Sequence, residues 1–224
     1  MSKVELKMIV GIMVMGSIWG MLEATLGGVL HLVYFPYTGA VMANLGFFLM
    51  GWTLALYKKT WIPFAMALVA SSFKLLDVVI LAVSPFARMI VNPATAIILE
   101  GLVLVGVIGI TNRVYQKNFL YQSGTGLIAM YLSYLAFSSF FFYVLHQGPR
   151  EVVSIGELAF FALKEGGITS MMAIFSFPLG LWIGVAGKPK LSFLFDERKK
   201  LYYAGSVIVI SLCWVVSALS ILVK

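Results

Sequence analysis

Charge is scarce in this chain: Asp, Glu, Lys and Arg make up 11% of its 224 residues against 61% hydrophobic residues, for a mean hydropathy of +1.00. A soluble domain of that composition would leave apolar surface in water, because surface-to-volume scaling cannot hide it all. A lipid solvent removes the conflict, so the class indicated is an integral membrane protein of the cell membrane, in direct contact with the lipid bilayer. A single cysteine, Cys213, excludes an intrachain disulfide and any cysteine-based metal cluster. HExxH and aspartate-rich metal motifs are absent, as is the full glycine–lysine phosphate loop, so neither a metal nor another cofactor is expected. Ser123-Gly124-Thr125-Gly126 has the look of a nucleophile loop or phosphate cradle. It stands at the cytoplasmic start of an apolar run with no histidine on that side, so no enzyme is expected. The formal charge of +7 is spread over short loops rather than gathered into a patch, which excludes nucleic acid as a partner. No internal repeat is visible, and the twelve methionines are scattered as packing residues would be.

What is present is a series of apolar runs of spanning length. Seven are found, at approximately 8–32, 40–57, 61–83, 89–111, 125–146, 157–187 (with 168–187 as its membrane span) and 202–223. The expected fold is all-α: one membrane domain, a polytopic transmembrane bundle of six core helices plus a seventh C-terminal helix. Turn chemistry marks the breaks, in Phe35-Pro36-Tyr37-Thr38-Gly39, Ser84-Pro85 and Gln147-Gly148-Pro149-Arg150. Ser154-Ile155-Gly156-Glu157 has the form of a capping box. The run it opens is too long for one upright span, so Gly166-Gly167 is expected to divide an external interfacial helix, 155–165, from the span proper, with Pro178 as a kink. Lys3 and Lys7 precede the first run, which is long and lacks a cleavage signature, and it reads as an uncleaved helix. Lys3, Lys7, Lys58, Lys59, Arg113, Lys117, Lys188, Lys190, Arg198, Lys199 and Lys200 fall on one side, and only Arg88, Arg150 and Lys224 on the other. The positive-inside rule then makes the N-terminus cytoplasmic and the C-terminus external.

Four ionisable residues, Glu23, Lys74, Asp77 and Glu100, lie well inside these runs. Charge in hydrocarbon costs at least ~2.5–3.5 kcal/mol per residue, so each should face a partner, water or a ligand. Glu23, Lys74 and Asp77 fall beyond the midplane and Glu100 near it, while His31, Arg88, His146 and Arg150 ring the external rim. This one-sidedness suggests an outward-open polar cavity holding a small-molecule solute. Ser71, Lys74, Asp77 and Ser84 share a helix face, and Lys74 can pair with Asp77. On the fifth helix Ser139, Tyr143 and His146 form a second stripe, with Tyr131, Tyr134 and Ser138 beside it. Asn92-Pro93 has the form of a cap followed by a first-turn proline, which would turn a positive helix end toward the cavity. The substrate-binding set is therefore Glu23, Lys74, Asp77, Glu100, Asn92, Tyr143, His146 and His31. With three acids to one base at depth, the site favours a cation or a proton. The bland alternative is that Lys74–Asp77 is structural glue and that Glu23 and Glu100 hydrogen-bond neighbouring helices in protonated form; Lys164 and Glu165 would be solvated at the interface.

Gly16, Gly20, Ala24 and Gly28 recur four apart on the first helix. Such a ridge permits close approach of another helix, either the second or fourth of this chain or a separate membrane subunit. With Gly16, Gly20 and Ala24, a short hydrophobic chain, a cytoplasmic N-terminus and the segment Asn92-Pro93-Ala94-Thr95-Ala96-Ile97-Ile98-Leu99-Glu100-Gly101, residues 1–187 resemble the substrate-binding S components of energy-coupling factor transporters. The resemblance implies an outward-facing vitamin- or metal-binding pocket among six helices. It also implies that Gly16, Gly20 and Ala24 contact a transmembrane coupling subunit driven by cytoplasmic ATPases. Two other functions compete on the residues alone: a structural or assembly subunit of a larger membrane complex, and a proton-coupled transporter acting by itself through Glu23 or Glu100.

Overall fold

In the computed structural model, which describes residues 3–111, 118–143 and 154–223, every regular element is a helix. Seven helices are long and apolar enough to cross a membrane: α1 (Glu5–Leu32), α2 (Thr38–Tyr57), α3 (Ile62–Ile80), α4 (Arg88–Thr111), α5 (Phe119–Phe142), α6 (Ala159–Pro189) and α7 (Lys199–Leu222). The protein is an all-α membrane bundle, and each expected apolar run has its helix. Local chemistry sets several of the ends. Lys58 closes α2 in the left-handed conformation (φ 54°) and returns its amide to the Leu54 carbonyl at 2.8 Å. The expected capping box is formed: the Ser154 amide donates to Glu157 Oε2 at 3.0 Å, and the Glu157 amide to Ser154 Oγ at 3.3 Å.

Most of these helices are apolar on all sides, so an amphipathic stripe cannot say which face turns inward. Small residues decide it instead. A Cβ added at Gly51 of α2 would stand 2.7 Å from the Phe177 carbonyl oxygen of α6. At Gly180 and Gly184 it would collide with the Phe48 and Trp52 carbonyls of α2. On its other side α6 meets α5, where a Cβ at Gly126 would lie 2.6 Å from the Ala173 carbonyl. One polar pin crosses the α2–α6 contact. Asn44 Nδ2 donates to the Ala40 and Thr169 carbonyls at 2.9 and 3.0 Å, and Asn44 Oδ1 accepts from Ser176 Oγ at 2.7 Å.

The ridge on α1 is also covered from within. A Cβ at Gly16 would sit 2.7 Å from Val69 Cβ, and one at Gly20 2.5 Å from the Phe73 ring, while Ala24 and Gly28 are buried. The helix seated on Gly16 and Gly20 is thus α3, not the second or fourth helix expected from the sequence. The seventh helix lies along α1 and the C-terminal part of α3, where the Trp214 and Phe73 rings stack with centroids 4.3 Å apart.

Four local features depart from ideal spans. The Ser71 and Ser72 hydroxyls donate back to the Leu68 and Val69 carbonyls at 3.0 and 2.6 Å, and α3 is interrupted at Phe73 before resuming at Lys74. In α1 the segment Glu23–Gly27 is a π turn, wound one residue wider than its surroundings. In α6 a second π turn spans Ala162–Gly166, and the helix runs unbroken from Ile155 to Glu197. Gly166-Gly167 therefore widens the helix instead of cutting off an interfacial segment 155–165. The Thr169 and Ser170 hydroxyls bond the Glu165 and Gly166 carbonyls at 2.7 and 2.5 Å and close the widened turn. Finally, α4 begins at Arg88, with the Ile90 and Val91 amides on the Ala87 carbonyl at 2.9 and 3.0 Å. Asn92 and Pro93 consequently sit inside the helix, and Asn92 is not its cap.

Candidate functional site

Both π turns carry a glutamate and both lie beyond the middle of their spans, toward the end of the bundle opposite the N-terminus. In α1 the half-buried Glu23 opens the wider turn: its Oε1 lies 3.8 Å from where a Cβ on Gly27 would be, with Met42 of α2 equally near that point. On α4, Glu100 is 9% exposed and lies within electrostatic range of Glu23. Glu100 Oε2 is buried and has no hydrogen-bond partner among the described residues. Gly101 beside it would bring a Cβ within 2.5 Å of Ala67 Cβ, so α4 is pressed on α3 and Glu100 has little freedom to withdraw.

The group extends to α5 and α6 through Tyr134. Its hydroxyl feels the charges of Glu165 and Glu100 and stands beside the Thr169 hydroxyl. Its ring leans on Phe161 at 6.1 Å and covers Gly166, where an added Cβ would be 3.2 Å from Tyr134 Cβ. Two further oxygens, Asn92 Oδ1 and Ser138 Oγ, are buried without a partner among the described residues. Glu100 of α4 is thus within electrostatic range of Glu23 on α1 and of Tyr134 on α5, and Tyr134 in turn of Glu165 on α6. An unpaired carboxyl oxygen in such a place is costly, and its cheapest companions are a proton or a cation.

The other expected residues are placed differently. Lys74 Nζ and Asp77 Oδ2 pair at 3.5 Å, at side-chain exposures of 13% and 6%, on the segment of α3 that packs against α7 and α4. His31 is exposed near the end of α1. Tyr143 is the last residue of its helix, with its side chain outside the described residues, and His146 lies outside them altogether. Lys164 is exposed, and Glu165 is half-buried within α6. Glu165 and Thr169 are members that sequence reasoning did not place in the site. The only signal available was their i,i+4 spacing across a double glycine. Among the described residues no three His, Cys, Asp or Glu side chains converge as a metal site. A second feature lies at the N-terminal end of the bundle, where an apolar groove of about 360 Å³ opens between α1, α2, α6 and α7. No protein-family model, curated protein or solved structure matches this chain.

Proposed function

We propose that this membrane protein is a transport component that binds a small cationic solute, or a proton, on Glu100 with Glu23 nearby. The observation that carries the reading is the buried Oε2 of Glu100, which has no hydrogen-bond partner among the described residues and lies within electrostatic range of Glu23. A structural subunit has no need of a buried carboxyl oxygen left without a hydrogen-bond partner among the described residues, with a second acid nearby to disfavour its charge. Glue between helices is better exemplified by Lys74–Asp77, which has its opposite charge three residues away. A cation arriving between Glu23 and Glu100 would relieve their repulsion, and its release would restore it. The Tyr134 hydroxyl offers a polar contact beside them without adding charge. The reading is that of a binding and translocation protein, not of an enzyme.

The resemblance to S components adds an energising partner to this proposal, a coupling subunit with its ATPases. In the folded chain such a partner would dock elsewhere than on Gly16 and Gly20, since α3 covers both. The test is uptake into proteoliposomes of a panel of radiolabelled small cations, with an internal pH dye to follow protons. Uptake or proton flux lost in Glu100→Gln, with the fold intact, supports the proposal. Equal flux in wild type, Glu100→Gln and protein-free liposomes for every cation and for protons, with and without a co-purified partner, would sink it.

A further inference from the structure

At the end of the bundle holding the N-terminus, the groove between α1, α2, α6 and α7 is walled by Val14, Trp52, Leu191 and Val209. Its volume, about 360 Å³, is that of a small-ligand site. Its floor is open because two lining residues have no side chain to fill it. A Cβ at Gly205 would meet nothing within 4 Å, and one at Gly187 would reach only Trp52 Nε1 at 4.0 Å. The polar groups at its mouth are already engaged. The Tyr202 hydroxyl donates to the Lys7 carbonyl at 3.1 Å and the Tyr57 hydroxyl lies 3.5 Å from the same oxygen. Gly11 permits this, since a Cβ there would collide with the Tyr57 hydroxyl. A soluble solute would find an apolar slot with Trp52 Nε1 as its one indole donor, too little to orient a polar molecule, whereas an acyl chain needs no orienting group.

Directly beyond Leu194 and Tyr202 of the groove, the α6–α7 turn forms a shallow depression lined by Glu197, Arg198, Lys199, Lys200 and Leu201. Its three cations are exposed, as are Lys58 next to Tyr57 and Lys188 next to Gly187. An apolar slot at the end of the spans with a cationic depression at its mouth matches the two halves of one molecule. We infer that this groove is a binding site for one anionic glycerophospholipid, its acyl chain between Gly187 and Gly205 and its phosphate on Arg198, Lys199 and Lys200. The charge complementarity selects an anionic lipid over a zwitterionic one, and the position at the helix ends sets the phosphate at headgroup depth.

The test is native mass spectrometry of the purified full chain, released from detergent after titration with phosphatidylglycerol, phosphatidylcholine or glycerol phosphate. One retained phosphatidylglycerol, favoured over phosphatidylcholine by roughly tenfold or more, is the expected result, since each surface cation contributes roughly fivefold. Gly205→Phe should abolish the retained adduct, and the triple change Arg198→Gln, Lys199→Gln, Lys200→Gln should leave lipid binding but erase the preference. Gly187→Leu serves as a second filling variant, so that misfolding of the first, seen by thermal denaturation, leaves the question answerable. Equal retention of the two lipids by wild type, unchanged retention in both filling variants, or binding of glycerol phosphate as strongly as the lipid would each overturn the assignment.

Discussion

Replacing Gly180 by alanine puts a methyl group where the Phe48 carbonyl of α2 already is, and Gly51→Ala does the same against the Phe177 carbonyl. Both obstacles are backbone, so no side chain can swing away. At Gly51 the methyl would stand 2.7 Å from the oxygen, about 0.7 Å inside the 3.4 Å at which ordinary contact begins, and at Gly180 the overlap is larger. The helices must therefore part. Overpacking of this kind costs about 1–3 kcal/mol. Separation also stretches the Asn44 bonds to Thr169 and Ser176, at roughly 0.6 kcal/mol for each interhelical bond in a membrane. We expect about 2 kcal/mol for Gly51→Ala and about 3–4 kcal/mol for Gly180→Ala, or melting points lower by roughly 4–8 °C and 6–16 °C respectively. Cys213, the sole cysteine and 3% exposed, provides the assay: a fluorogenic maleimide reports its exposure as the detergent-solubilised protein is heated. Gly109→Ala is the control, since a Cβ there meets nothing within 4 Å; it should be neutral or stabilise by up to about 1 kcal/mol. If Gly180→Ala melts with Gly109→Ala, the α2–α6 contact is not the close backbone approach described above.

Three further outcomes follow from the same structure. Lys74→Met or Asp77→Leu alone strands a buried charge and should cost about 3–5 kcal/mol, whereas the double substitution should recover most of that in the thiol-exposure melt. No recovery would mean the two side chains do not act as a pair. Glu100→Gln keeps the side-chain shape and removes the ionisable group, so its melting point should not fall while cation or proton flux is lost; a lower melting point with flux retained would make Glu100 structural. Tyr202→Phe removes a 3.1 Å bond to the Lys7 carbonyl as well as the bond it shares with the Tyr57 hydroxyl and should cost about 1 kcal/mol, read as roughly 2–4 °C in the same melt; Tyr57→Phe loses the shared bond but only a 3.5 Å contact to Lys7 and should cost less. Equal effects of the two would mean that the 3.1 Å bond to Lys7 adds nothing to stability.

The spans were legible because length and hydropathy are properties of each segment by itself, and the capping box at Ser154 because it is a local bargain between two side chains. The Lys74–Asp77 pair was legible for the same reason, being three residues apart on one helix. Facing relations were not. Gly16 and Gly20 announce a close approach but cannot say which helix makes it, and α3 supplies Val69 and Phe73 where the second or fourth helix was expected. Gly180 and Gly184 carry the same signal and sit against the backbone of α2. The π turns were hidden because hydrogen-bond register leaves no mark in composition, and a glycine pair serves a widened turn as readily as a break. Asn92-Pro93 misled by resembling a helix start that Ala87 and Arg88 provide one turn earlier.

The two widened turns have a consequence for how this chain can vary. A π turn is one residue longer than the α-helical path it replaces, so it is a phase shift, and every side chain beyond it is rotated by about 100°. Point substitution leaves that phase intact; only a deletion within 23–27 or 162–166 would restore it. Such a deletion in the first segment would carry His31 and the apolar rim of α1 around the helix axis while leaving Gly16, Gly20 and the α3 contact untouched. The outer part of each helix is thus an independently indexed tip, set by a whole-residue insertion rather than by the identity of any one amino acid.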